Sequence, residues 1–162
     1  MSAAVKAGTV SKRSPTTGNT RGRPEVFVLG LDNQVYAQKF DANGNSISSY
    51  FLTQAGQVKA LTVGQDADYH PLLYVIGLDG QVYAQKFDAR GSSASGYFLM
   101  QAGQVKGVQV GADADNYPEM FVTGLDDQVY GQKCDDTGDP LGGYFLMQPG
   151  RQAGLAIAGS FE

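Results

Sequence analysis

The sequence predicts an all-β protein assembled from three copies of one four-stranded antiparallel unit. Three observations carry this. The stretch Gly77-Leu-Asp-Gly-Gln-Val-Tyr-Ala-Gln-Lys-Phe-Asp88 recurs as Gly30 to Asp41 and as Gly124 to Asp135, 47 residues apart each time. Each copy divides into four short apolar or alternating runs separated by turn residues, the pattern of a β repeat and not of a helical solenoid. Glycine, asparagine or aspartate stands at a fixed place between the second and third runs, and glycine between the third and fourth; these residues best tolerate positive φ.

Residues 1–24 form a basic N-terminal strand and loop. Lys6, Lys12, Arg13, Arg21 and Arg23 all precede the first acid, Glu25, and Ser11 to Arg23 reads as loop. Val5-Lys-Ala-Gly-Thr-Val10 nevertheless echoes Val58-Lys-Ala-Leu-Thr-Val63 and Val105-Lys-Gly-Val-Gln-Val110, so a copy of the first run, A, precedes that loop. Run B is Glu25 to Leu31, Leu72 to Leu78 and Glu119 to Leu125, and its near-continuous apolar character predicts burial on both faces. Run C alternates, with Val82, Ala84 and Lys86 on one side and Gln81, Tyr83, Gln85 and Phe87 on the other, so it is expected to be half exposed. Run D is Tyr50-Phe-Leu, Tyr97-Phe-Leu and Tyr144-Phe-Leu, suited to a packed edge.

Between B and C, Asn33, Gly80 and Asp127 predict a two-residue type I′ hairpin. Between C and D, Gly44, Gly91 and Gly138 predict a longer hairpin with one left-handed residue. The repeats fall near 25–71, 72–118 and 119–162. After the third run D, Gln152-Ala-Gly-Leu-Ala-Ile-Ala-Gly159 falls in the register of run A, which makes four A-type segments against three B-C-D sets.

Net charge is −4, and from Glu25 onward 16 acids face 7 bases, so the body would repel phosphate and nucleic-acid binding is not expected. No run approaches the roughly 18 apolar residues of a membrane helix, and the first residues lack a signal-peptide core; a cytoplasmic protein, or one released without a standard signal, is expected. Cys134, the only cysteine, replaces Phe40 and Phe87 of the other copies. It reads as a small buried hydrophobe.

A four-stranded meander of about 40 to 50 residues in tandem is the pattern of a β-propeller blade. The three-fold count also fits a β-trefoil, although run B is too uniformly apolar for an exposed barrel wall. Phe27-Val-Leu-Gly-Leu-Asp-Asn-Gln-Val-Tyr36 and its copies resemble the PLL-type bacterial propeller lectins and, more loosely, the tachylectin-like propellers, over roughly residues 24 to 159. The resemblance implies propeller blades and a carbohydrate ligand. Tyr-Phe pairs stand where such blades commonly carry tryptophan. Since propellers run from about four blades upward, three predict self-association. Two chains would make six blades and three chains nine, with the dimer expected first because two-fold assembly is commonest. The C-terminal run would then cross to a neighbour's first blade.

Candidate chemistry is sparse. Asp66-Ala-Asp68 and Asp113-Ala-Asp115 place carboxylates two apart; Asp66 and Asp113 are either weak ligands for a hard cation or caps for their own turns. Asp41-Ala-Asn43-Gly-Asn45 has calcium-loop spacing without the bidentate glutamate, and reads as a hairpin. His70 has no second histidine, serine or cysteine with which to build a zinc site or a triad. Tyr69 and Tyr117, with Asp68, Asp115, Asn116 and His70 beside them, could stack on a sugar and bond its hydroxyls. Packing is the alternative. Gln81 and Gln85 either line grooves between repeats or form a ladder that holds the repeats in register. No cofactor or catalytic constellation is expected. The expected function is a non-catalytic, multivalent carbohydrate-binding homo-oligomer whose weak sites gain by avidity. The rivals are a scaffold that binds a protein partner, and a designed or fragmentary symmetric propeller.

Overall fold

The computed structural model describes residues 23–157 together with the backbone of residues 6–10. Twelve strands form three separate four-stranded antiparallel sheets, each a meander in chain order. Sheet I comprises β1 (Lys6–Val10), β2 (Glu25–Leu29), β3 (Val35–Lys39) and β4 (Phe51–Gln54). Sheet II comprises β5 (Val58–Gln65), β6 (Pro71–Gly77), β7 (Val82–Lys86) and β8 (Phe98–Gln101). Sheet III comprises β9 (Val105–Ala112), β10 (Pro118–Gly124), β11 (Val129–Cys134) and β12 (Pro140–Leu146). The described residues contain no helix and no closed barrel. The trefoil alternative therefore fails, because a trefoil needs strands of different repeats paired into one barrel.

The sheets pack face on face. Phe27, Leu29, Val35 and Ala37 of sheet I meet Val58, Leu73, Val75 and Phe87 of sheet II. Leu72, Tyr74, Ile76, Val82, Ala84 and Met100 of sheet II in turn meet Val105, Val108, Met120, Val122 and Cys134 of sheet III. We call the face a sheet turns toward its successor its leading face, and the opposite one its trailing face. All seven residues of β6 are buried, as run B predicted, but β2 and β10 keep half-buried residues on their outward sides. Leu31, Leu78 and Leu125, the last residues of run B, fall beyond the strands and are exposed. Run C is not half exposed in the middle sheet: β7 alternates its side chains, but both faces are covered, and Gln85 is fully buried. The first strands lie side by side, β1 against β5 and β5 against β9.

One turn geometry serves every described hairpin. Between β2 and β3 the Gly30 N–H donates to the Gln34 carbonyl and the Asn33 N–H to the Gly30 carbonyl, with Asn33 alone at positive φ, 64°. This is a three-residue loop with a left-handed bulge residue, not the two-residue type I′ turn, which needs two consecutive positive φ values. The same pairing of bonds closes Asp41–Asn45 and Asp66–His70. Gly44 and Tyr69 there take the left-handed position.

The third sheet differs at its far edge, where β12 begins at Pro140 directly after the Asp135–Asp139 turn. The segment 151–157 is not a paired strand, contrary to its run A register. The basic loop of residues 11–22, and residues 158 and 159 of the C-terminal run, lie outside the described residues.

Candidate functional site

At the end of each sheet that carries the β2–β3, β6–β7 or β10–β11 hairpin, three elements converge in the same way. The Asp79 carboxylate accepts the Gln81 N–H at 3.0 Å and the Tyr83 hydroxyl at 2.7 Å. Asp32 with Tyr36 and Asp126 with Tyr130 repeat the phenol bond at 2.7 Å. This pair explains the glycine that opens the repeated stretch: a β-carbon on Gly77 would lie 2.7 Å from Asp79 Oδ1 and 3.2 Å from the Tyr83 ring. The chain must pass under the carboxylate with no side chain.

These bonds also set the electrostatics. The phenol, followed by the turn N–H, holds the Asp32 and Asp126 carboxyls below the usual carboxylate range; for Asp79 the Gln81 N–H acts first and the Tyr83 phenol second. Tyr36, Tyr83 and Tyr130 are pushed up, because losing the phenolic proton would lose the bond to the carboxylate.

The link from one sheet to the next docks on this hairpin. Gln34 Oε1 accepts the Gly56 N–H, and the Gln57 amide donates to the Asp32 carbonyl. Gln81 with Gly103 and Gln104 with Asp79 do the same one repeat later. Under each link opens a crevice. The first, about 230 Å³, is lined by Val58, Val75, Leu78, Asp79, Tyr83 and Tyr97. The second, about 490 Å³, is lined by the residues 47 positions on: Val105, Val122, Leu125, Asp126, Tyr130 and Tyr144. Each holds an exposed leucine, a carboxylate and two half-buried tyrosine rings. Burial raises the Tyr97 phenol and pushes Tyr144 up to about 12.

The sequence-predicted residues lie mostly at the opposite end of the sheets. Asp66 Oδ1 accepts the N–H groups of Asp68 and His70, and its Oδ2 meets His70 Nδ1 at 3.0 Å. Asp113 caps Asp115 and Tyr117 in the same way. Both carboxylates thus serve their own turns, and among the described residues no three of His, Cys, Asp and Glu converge. Tyr69 and Tyr117 are not equivalents: Tyr69 matches Asn116, both left-handed at φ 65° and 64°, while His70 matches Tyr117. Tyr69 and Asn116 do come together, across the seam of sheets II and III, in a cavity of about 370 Å³. The Asn116 amide reaches the Ala67 carbonyl at 3.4 Å. Asp68, Asp115, His70 and Tyr117 do not line that cavity.

The two glutamines part company. Gln81 stays half-buried and holds the link to the hairpin. Gln85 is fully buried and bridges sheets, its amide donating to the Thr53 carbonyl of sheet I at 3.0 Å and to the Ser95 carbonyl at 3.0 Å. It is the ladder residue, and no ligand meets it without the seam opening. The crevice residues Leu78, Asp79, Tyr83 and Tyr97 were missed as a site because the stretch reads as a turn and packing. Their signal was the exposed leucine repeated at one place in every hairpin, Leu31, Leu78 and Leu125. No family model matches the chain, and no curated protein does either.

Proposed function

We propose that this protein is a non-catalytic, multivalent carbohydrate-binding protein in which the three sheets are propeller blades, copies of the chain complete the ring, and the ligand sits in the crevices under the blade links. The observation that carries this is the repetition of one crevice with the same side chains 47 residues apart. A tyrosine ring offers an apolar face to a sugar, and a carboxylate held ionised accepts hydroxyl protons strongly. A single shallow site of this kind binds weakly, and a ring that repeats it gains by avidity.

The test is a glycan array followed by calorimetry on any hit, with Asp79→Asn and Asp126→Asn combined. Asparagine still caps the turn but lacks the charge, so affinity should fall by roughly tenfold. Absence of binding to any glycan by the assembled protein would remove this reading.

A further inference from the structure

We propose that a second copy of this chain docks its sheet I on the leading face of sheet III, and that segment 152–157 replaces that copy's β1 as the first strand of the docked sheet. The inference rests on the propeller reading above and names how its blades join.

The outer faces match each other as the inner ones do. Phe27 and Phe87 meet edge to face across the first seam, with ring centroids 5.1 Å apart; the residues in those places on the outer faces are Phe121 and Phe40. Glu25 of sheet I rests over Gly91, and Leu72 of sheet II over Gly138, each so close that a β-carbon on the glycine would collide with it. In the outer pair these places belong to Glu119 and Gly44, and a β-carbon at Gly44 would have no atom within 4 Å. The Lys39 ammonium donates to the Ser92 hydroxyl at 3.0 Å, and its outer counterparts are Lys133, which is exposed, and Asn45. Aromatic meets aromatic, a carboxylate meets a bare glycine, and lysine meets a side-chain acceptor. Burial is unfinished at two places on these faces: Met147 is 47% exposed where Thr53 and Met100 are 6% and 5%, and Tyr50 is 44% exposed where Tyr97 and Tyr144 are half-buried, while Val28 on the same face of sheet I is already covered in the separate chain.

Segment 152–157 already occupies the place of a first strand. The N–H that starts each inner strand donates to the preceding hairpin: Val58 to Asn33 at 2.7 Å, Val105 to Gly80 at 2.8 Å, and Gln152 to Asp127 at 2.6 Å. Arg151 and Lys106 both pair with the Asp127 carboxylate. Val110 fills the groove at Gly64, and Ile157 fills the same groove at Gly111. The segment lies against β9 as β9 lies against β5.

β1 is out of step with the repeat. In sheets II and III, Ala60 and Gly107 pair with Ile76 and Thr123; the sequence match puts Ala7 opposite Leu29, but Lys6 pairs there instead. The slip is one residue, and a one-residue slip reverses the faces of a strand. Segment 152–157, in the register that the repeat dictates, sets Leu155 opposite Val28 and Ile157 opposite Val26 of the second copy. Both strands cannot occupy one place. β1 therefore holds the β2 edge in the separate chain and leaves it on assembly.

The experiment is performed on the full chain. Val26 lies on β2 of sheet I and Ile157 lies against β9 of sheet III, with sheet II between them, so air oxidation of the Val26→Cys, Ile157→Cys double variant should join them between copies, giving a disulfide-linked dimer that neither single variant gives. Hydrogen exchange of residues 6–10 should lose protection as light scattering shows the mass doubling with concentration. A chain that stays monomeric at high concentration overturns both this inference and the ring. Assembly without the cross-link, or with residues 6–10 still protected, overturns the strand exchange and leaves the ring standing.

Discussion

Tyr69 is held at φ 65° in a turn where its counterpart is Asn116. A left-handed backbone costs a bulky L residue about 1 kcal/mol or more, and asparagine far less. Tyr69→Asn should therefore stabilise the protein by about 1 kcal/mol, seen as a higher urea midpoint with an unchanged slope. A drop would mean that the ring's packing in the seam outweighs the backbone strain. Strain kept at the edge of a cavity is a reason to assay ligand binding in the same variant. The aspartate–tyrosine pairs make a second residue-scale prediction. Because Asp32, Asp79 and Asp126 have folded pKa values below their unfolded ones, the unfolded chain binds more protons at acid pH. The stability they contribute is present above the unfolded carboxylate range and is lost as pH falls through the folded values. Replacing Tyr36, Tyr83 and Tyr130 by phenylalanine should flatten that acid limb in urea titrations carried from neutral pH to below the ordinary aspartate value of about 3.9. An unchanged limb would show that the turn N–H groups alone lower the carboxyls.

Gln85 and Gln38 separate the internal strand from the outer one. Both bond the C–D loop of their own sheet, Gln85 to Ser95 and Gln38 to Ser48, but only Gln85 also donates to the preceding sheet, at Thr53. Gln85→Ala leaves a cavity and removes that bridge, a loss of about 2 to 4 kcal/mol; Gln38→Ala in the dilute chain should lose under about 1 kcal/mol. Equal losses in thermal melts would deny the bridge its role. The contrast bears on what could be read in the sequence. The 47-residue period, the four strands per unit and the double-sided burial of β6 were legible because periodicity and apolar content are local properties. The burial of β7 was not, since alternation reports two unlike faces but not what covers them. The turn type is not legible for a similar reason: one residue tolerant of positive φ suits both a type I′ turn and a bulged loop, and the hydrogen bonds decide. The A–B loop residues are ambiguous in the sequence because carboxylates two apart look alike in a cap and in a cation site. The crevices are not legible in the sequence because the link residues that roof them, Gly56 and Gln57, are 20 residues or more from the aspartate and tyrosine beneath.

For the whole molecule the decisive surface is the one at Gly44. Gly91→Ala forces Glu25 to move, whereas Gly44→Ala meets nothing in the separate chain. Gly44→Ala should therefore cost only the left-handed backbone term, about 1 kcal/mol, yet, under the docking proposed above, in which Glu119 of a second copy takes that space, shift assembly to higher concentration by tenfold or more. Sedimentation of the two variants beside the parent decides it; a Gly44→Ala chain that assembles like the parent would place the docking elsewhere. Cys134 offers a last consequence. Its thiol is 3% exposed in the seam of sheets II and III, and burial pushes it up to about 11 although the Tyr74 phenol beside it works the other way. At neutral pH it is protonated and out of reach, so a thiol reagent can modify it only when the two sheets part. The rate of that labelling is a clock for seam opening, written into the native sequence at one seam alone. Run across a range of protein concentrations, it would tell whether the assembly proposed above, which engages only the outer sheets, also tightens a joint in the middle of the chain.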